Sequence, residues 1–160
     1  MFDVMQRDTA LDCEAGVIRL FNLADIGTRG MVSGWSAPED GHTWNDGVEA
    51  AFTVSLRPPL GRFNLIIMGQ PYVSRVRPLQ EMTLFANGWR VAAWRMTART
   101  ETKLTVPLEP EWWFLRGNRA VMRLLFYLPN SVRPKDVNDG PDGRELGFCF
   151  HSICLRQMPA

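Results

Sequence analysis

Of 160 residues, only three are cysteine and two are histidine, and neither set is spaced for metal or disulfide chemistry. Cys13, Cys149 and Cys154 are odd in number and contain no C-x-x-C pair, so zinc ribbons and disulfide frameworks are poorly supported and buried or incidental thiols are expected. Charge of one sign is also lacking. Eighteen basic side chains oppose seventeen acidic ones, and no basic block stands out, which argues against nucleic acid or an anionic membrane as the main partner. No apolar run reaches the roughly 20 residues of a membrane helix, so no transmembrane segment is expected. The first sixteen residues lack the positive start and apolar run of a secretory leader, and the expected location is cytoplasmic. G-x-S-x-G, H-E-x-x-H and Walker patterns are all missing, and no cofactor is called for.

What the sequence has is short alternating segments broken by Gly and Pro. Residues 48–57 are the clearest: Val48, Ala50, Phe52, Val54 and Leu56 face one way, and Glu49, Ala51, Thr53, Ser55 and Arg57 the other. Residues 62–68 form a short, nearly continuous apolar strand. Residues 80–95 carry Asn87-Gly88 between two alternating runs, the strongest short-range hairpin signal. Leu104 and Val106 mark a strand ended by Pro107. Residues 119–128 place Ala120, Met122, Leu124, Phe126 and Leu128 on one side. In residues 144–156 the apolar parity changes between Phe150 and Ile153, which predicts a bulge near His151-Ser152. A first strand is expected within 16–24, and one or two helical turns within 109–118. About eight short strands at about ten-residue spacing predict an all-β, two-sheet antiparallel β-sandwich of jelly-roll type, its first and last strands adjacent. The expected layout is an irregular arm over 1–15 and a single sandwich domain over 16–160.

The stretch richest in chemistry is residues 34–47, GWSAPEDGHTWNDG. Its turn formers carry aromatic and ionisable side chains, which reads as an ordered loop. Glu39, Asp40, His42 and Asp46 suit sugar hydroxyls, with Trp35 or Trp44 as a flat platform for the sugar ring. The plainer alternative has both tryptophans plugging the sandwich end. A hydrolase would pair Glu39 or Asp40 with Asp46 about 5–10 Å apart, which nothing in the spacing requires. Residues 136–143, DVNDGPDG, have the oxygen density of a calcium loop but not the EF-hand order, and an Asx-turn-rich loop is favoured. Arg144 is expected to pair with an acid of the 34–47 loop, Glu39 being the candidate for a bidentate contact. Of Trp112, Trp113 and Phe114, at least two are expected in the core. All three exposed would instead form a docking patch.

Several residues carry a resemblance. Gly34-Trp35-Ser36 with Pro38-Glu39, Trp44 with Gly47, Asn87-Gly88 with Trp94, and Asp142, Arg144, Leu146 and Gly147 resemble β-sandwich domains found in or beside bacterial polysaccharide glycosyltransferases. The resemblance covers roughly residues 16–156 and departs from that family at Asp40-Gly41-His42. It implies an architecture similar to carbohydrate-binding modules, no catalytic chemistry, and a role in polysaccharide biosynthesis. The expected ligand-binding set is Trp35, Glu39, Asp40, His42, Trp44, Asp46 and Arg144, with a glycan or a glycosyltransferase as partner. A docking module and a small carbohydrate-active enzyme are the alternatives.

Overall fold

A strand that is apolar on one face must bury that face against another element. In the computed structural model, which describes residues 13–14, 17–21, 30–58 and 60–159, the alternating segments do this by forming two facing sheets. The strands are β1 (Cys13–Glu14), β2 (Val17–Phe21), β3 (Met31–Ser33), β4 (Thr43–Trp44), β5 (Glu49–Leu56), β6 (Phe63–Pro71), β7 (Gln80–Ala86), β8 (Trp89–Met96), β9 (Thr102–Leu108), β10 (Phe114–Arg116), β11 (Arg119–Tyr127) and β12 (Phe148–Gln157). One sheet runs β1-β2-β12-β6-β9, with β4 also on β12. The other runs β3-β5-β11-β7-β8, with β10 also on β11. All pairings are antiparallel, and β2 lies beside β12, as a jelly-roll-like sandwich requires. Of the 1–15 arm, Cys13–Glu14 pairs with Val17 and Ile18, and the other residues lie outside the described ones. So do the flanks of the 16–24 strand.

The core lies between the sheets. Phe52, Val54 and Leu56 of β5 and Met122, Leu124 and Phe126 of β11 meet Leu65 and Ile67 of β6 and Phe148, Phe150, Ile153 and Leu155 of β12. The bulge in β12 is present: Phe150 pairs with Gly69 and Ser152 with Met68, which leaves His151 as the extra residue. It lets Phe150 and Ile153 both face inward. Gly69 is required opposite the bulge, because a Cβ there would stand 2.1 Å from the Cys149 carbonyl oxygen. Asn87 and Gly88 both have positive φ, 46° and 84°, as a two-residue primed turn demands.

Four expectations change in detail. Val48 precedes the strand and is exposed. The second face of β5 is drier than its polarity suggests, since Ala51 and Ser55 are buried and the Arg119 guanidinium donates to the Ser55 hydroxyl and carbonyl oxygens. β9 continues through Pro107 to Leu108, because β9 is an edge strand, where an outward-facing proline nitrogen costs no ladder bond. The 109–118 segment makes a single 3-10 turn, Pro110–Trp112, and then β10. Trp113 is buried and Trp112 packs on the core, while Phe114 points out. No helix among the described residues is long and apolar enough to cross a membrane.

The register supports a stringent test. Phe52 is fully buried and Thr53 lies on the opposite face. Phe52→Asp is expected to abolish the cooperative thermal transition, since an unpaired buried charge is among the costliest changes. Thr53→Asp should retain it. Equal behaviour of the two variants would refute the register.

Candidate functional site

Residues 34–47 form a narrow hairpin. The Ser36 N–H donates to the Trp44 carbonyl at 2.9 Å, the Asp46 N–H to that of Gly34 at 2.8 Å, and the Glu39 N–H to that of His42 at 2.9 Å. Asp40-Gly41 is the tip, with Gly41 at φ 89°. At the base, Gly34 has φ 80°, and a Cβ there would meet the Glu49 carbonyl oxygen at 1.8 Å. The returning limb is β4, which pairs Thr43 with Phe150 and Trp44 with Cys149. Because Phe150 faces the core, Thr43 is buried, and Trp44 falls on the outer face of the sheet.

Asn45, completely buried, anchors this hairpin. Its Oδ1 accepts the Gly147 and Phe148 N–H groups at 2.9 and 2.8 Å. Its Nδ2 donates to the Gly47 carbonyl at 2.7 Å and the Ser131 hydroxyl at 3.1 Å. Asp46 adds a hydrogen bond from the Glu145 N–H at 2.9 Å. The 34–47 and 136–144 loops therefore meet at one end of the sandwich. Arg144 ties them together, but its geometry departs from expectation. Its Nε and Nη2 form the bidentate contact with Asp142, at 2.8 Å for Nη2, whereas Nη1 reaches Ser36 Oγ at 2.6 Å and Glu39 at 3.2 Å. The local carboxylate takes the fork because the Arg144 N–H also donates to Asp142 Oδ1 in an Asx turn, which holds the acid beside the guanidinium.

Trp44 is half-buried, and the rings of His42 and Tyr72 stand nearly perpendicular to it, with centroids 6.5 and 6.2 Å away. The His42 ring is 6.5 Å from that of His151, the bulge residue. Each imidazole has a carboxylate: Glu39 at 3.4 Å from His42 Nε2, and Glu101 at 2.8 Å from His151 Nδ1. The Tyr72 hydroxyl donates to Asp139 at 2.5 Å, and Arg99 lies 4.8 Å over the Tyr72 ring. Burial and this carboxylate push the Tyr72 hydroxyl up to about 12, so the phenol remains a donor. Burial likewise pushes the Cys149 thiol up to about 12, which leaves it unreactive beneath this face.

The remaining expected residues divide. Trp35 matches the plug: its ring packs edge-on against Phe52, Phe126 and Phe150, and its Nε1–H donates to the Ala51 carbonyl at 2.7 Å. Asp40 is exposed at the hairpin tip and Asp46 sits at its base, so the two carboxylates of a hydrolytic pair are at opposite ends. In the 136–143 loop, Asp139 is committed to Tyr72 and Asp142 to Arg144. Among the described residues no group of three His, Cys, Asp or Glu is placed to hold a metal ion. Sequence reasoning missed Asn45, Tyr72, Glu101 and His151. The Asp40-Gly41 hairpin signal, between Glu39 and His42, was present in the sequence and would have placed Trp44 on a strand.

No protein-family model and no curated protein matches the sequence. Among solved structures, the chain is similar to part of a family GH115 4-O-methyl-alpha-glucuronidase with specificity for decorated arabinogalactans, at 10% identity and TM-score 0.54, over 92% of this chain. It spans 18% of that enzyme's length. It is also similar to the CBM36-1 domain of a multidomain xylanase from the hindgut metagenome of Trinervitermes trinervoides (10% identity, TM-score 0.45, 82% of this chain and 90% of that one). A further neighbour is the CBM22-1 xylan-binding domain of Xyn10C from Paenibacillus barcinonensis (12% identity, TM-score 0.43, 93% and 86%). The likeness to the glucuronidase segment is one of fold.

Two outcomes follow from the anchoring bonds. Asn45→Ala leaves two buried N–H groups without acceptors and is expected to cost about 2–4 kcal/mol in urea denaturation. A loss below about 1 kcal/mol would show that the carboxamide does not hold the hairpin. Hydrogen bonds from Arg144 hold the Asp142 carboxyl below its ordinary 3.8. A depressed carboxylate contributes stability above its unfolded pKa and loses it as pH falls through the folded value. Asp142→Asn should therefore lower the melting temperature at neutral pH and matter little once the parent's acid is protonated. The effect is modest, because the pair is about a third exposed. An equal shift at both pH values would contradict the ion pair.

Proposed function

We propose that this chain is a non-catalytic carbohydrate-binding domain that takes a glycan across Trp44 on the outer face of the β12 sheet. The observation that carries the reading is a half-buried indole on a hydrogen-bonded hairpin, with the His42 ring beside it and Glu39, His151 and Glu101 linked in turn beyond His42. A sugar offers a C–H face to an aromatic ring and hydroxyls to imidazoles and carboxylates around it, and this mixture suits both. Asp40, exposed at the tip, extends the polar rim. Arg144 and Asp46 act by holding the hairpin, since the guanidinium and Asp46 Oδ1 are engaged within the protein. A binding role is favoured over hydrolysis because Asp40 and Asp46 sit apart and Glu39 is occupied by Arg144 and His42. The resemblance described above supports the wider setting, a cytoplasmic accessory domain working beside a glycosyltransferase in bacterial polysaccharide biosynthesis.

A second reading, a docking module, is favoured by one observation. Phe114 and Leu115 of β10 and Trp89 at the start of β8 are each more than 60% exposed. They lie at one end of their sheet, because the Asn87 side chain donates to the carbonyls of Trp112 and Val121, and Val121 pairs with Phe114.

A glycan array on the purified protein separates the two. Binding that Trp44→Ala weakens by about tenfold or more, the loss expected for an aromatic platform, supports the glycan reading, provided the melting temperature is kept. An array without bound glycan, together with self-association abolished by Phe114→Ser, selects docking.

A further inference from the structure

The outer face of the other sheet carries a groove of about 530 Å³ lined by Glu49, Phe85, Gly88, Arg123, Leu125 and Tyr127. The register explains its contents. Glu49, Tyr127 and Thr83 stand side by side across β5, β11 and β7. The next outward-facing row is Ala51, Leu125 and Phe85, continued by Arg90 on β8. Thr53 and Arg123 form the row after that. The floor is thus half-buried Leu125 and Phe85, with exposed Tyr127 at one end, Arg123 at the other and Arg90 at the side, opposite Phe85 on β8. Arg90 and Arg123 are exposed and have no carboxylate partner among the described residues. Glu49 lines the same groove two rows from Arg123, and no ion pair joins them. Nearby Glu81 faces Arg95 at 3.9 Å.

We propose that this groove is a second glycan site, selective for acidic chains, in which Arg123 and Arg90 meet uronate carboxylates while Phe85 and Tyr127 pack against the sugar rings. A guanidinium matches a carboxylate through two parallel N–H donors, and a shallow floor with an aromatic at its end suits the flat side of a pyranose. A phosphate backbone is disfavoured, since a nucleic acid takes a continuous basic track and Glu49 interrupts this one. The proposal uses no residue of the Trp44 site and stands or falls separately from it.

The test is an NMR titration of the whole chain with a galacturonate hexamer and with the same hexamer after carboxyl reduction. The acidic oligomer is expected to shift the amide signals of Phe85, Leu125 and Tyr127 saturably. Arg123→Gln and Arg90→Gln should each weaken it by about tenfold, the usual effect of losing one charge-assisted contact. Both positions are exposed, so the variants should keep the parent's melting temperature. Lys103→Gln, on the opposite sheet, should keep the parent's affinity. The proposal is overturned by no binding, by equal binding of the reduced hexamer, by an equal loss in Lys103→Gln, or by equal competition from a thymidylate hexamer.

Discussion

The Asn45 carboxamide is the contact on which the working end of the molecule depends. It uses both acceptor lone pairs and both donors inside the protein, and its four bonds reach three different parts of the chain. Gly147 and Phe148 open the last strand, Ser131 belongs to the loop after β11, and Gly47 leads into β5. One buried side chain therefore fixes where three connections leave the sandwich. A fully satisfied buried amide rigidifies because any shift of one partner strands another polar group away from water. The hairpin that carries Trp44 inherits that rigidity.

Electrostatics then divides the surface. Around Trp44 carboxylates outnumber guanidiniums: Arg144 sits with both Asp142 and Glu39, Arg99 lies near Asp139, and Glu101 contacts the His151 ring. Such a surface is rich in hydrogen-bond acceptors and carries an excess of negative charge. Across the sandwich, Arg90 and Arg123 lack such partners among the described residues. A near-zero net charge thus hides a polarity between faces that a count of charged residues misses.

What was legible in the sequence follows from how local its cause is. The Asn87-Gly88 turn, the inward parity of Ala120 to Leu128, and the bulge at His151 all come from the period of two and the φ preferences of two residues. The meeting of Arg144 with Glu39 was legible because a covered guanidinium needs an acid. The bidentate choice of Asp142 was not, since it depends on an Asx turn two residues long. Asn45 was invisible because both groups its oxygen accepts from are backbone N–H groups about a hundred residues away, and a lone Asn between Trp44 and Asp46 reads as turn chemistry. Tyr72 and Glu101 were missed for a similar reason: each reaches the face from a separate connection, and only the sheet order brings them beside β4 and β12.

The bulge joins fold to site. In an unbroken strand, residue 152 would return to the core after His151. With the extra residue, Ser152 pairs with Met68 on the outer face and Ile153 takes the inward position beside Ile67. Two successive residues are thus released from the core, and His151 reaches Glu101 on one side and the His42 ring on the other. The same displacement brings the Cys149 carbonyl so close to β6 that only glycine fits at 69. A larger residue at 69 would push β6 away from β12 and carry Phe148 and Phe150 with it, since a Cβ there would also meet the Phe148 ring. The packing of the core and the outward position of Ser152 beside His151 are therefore set by one irregularity in one strand, and a change that repaired the ladder would turn Ser152 into the core and Ile153 out of it.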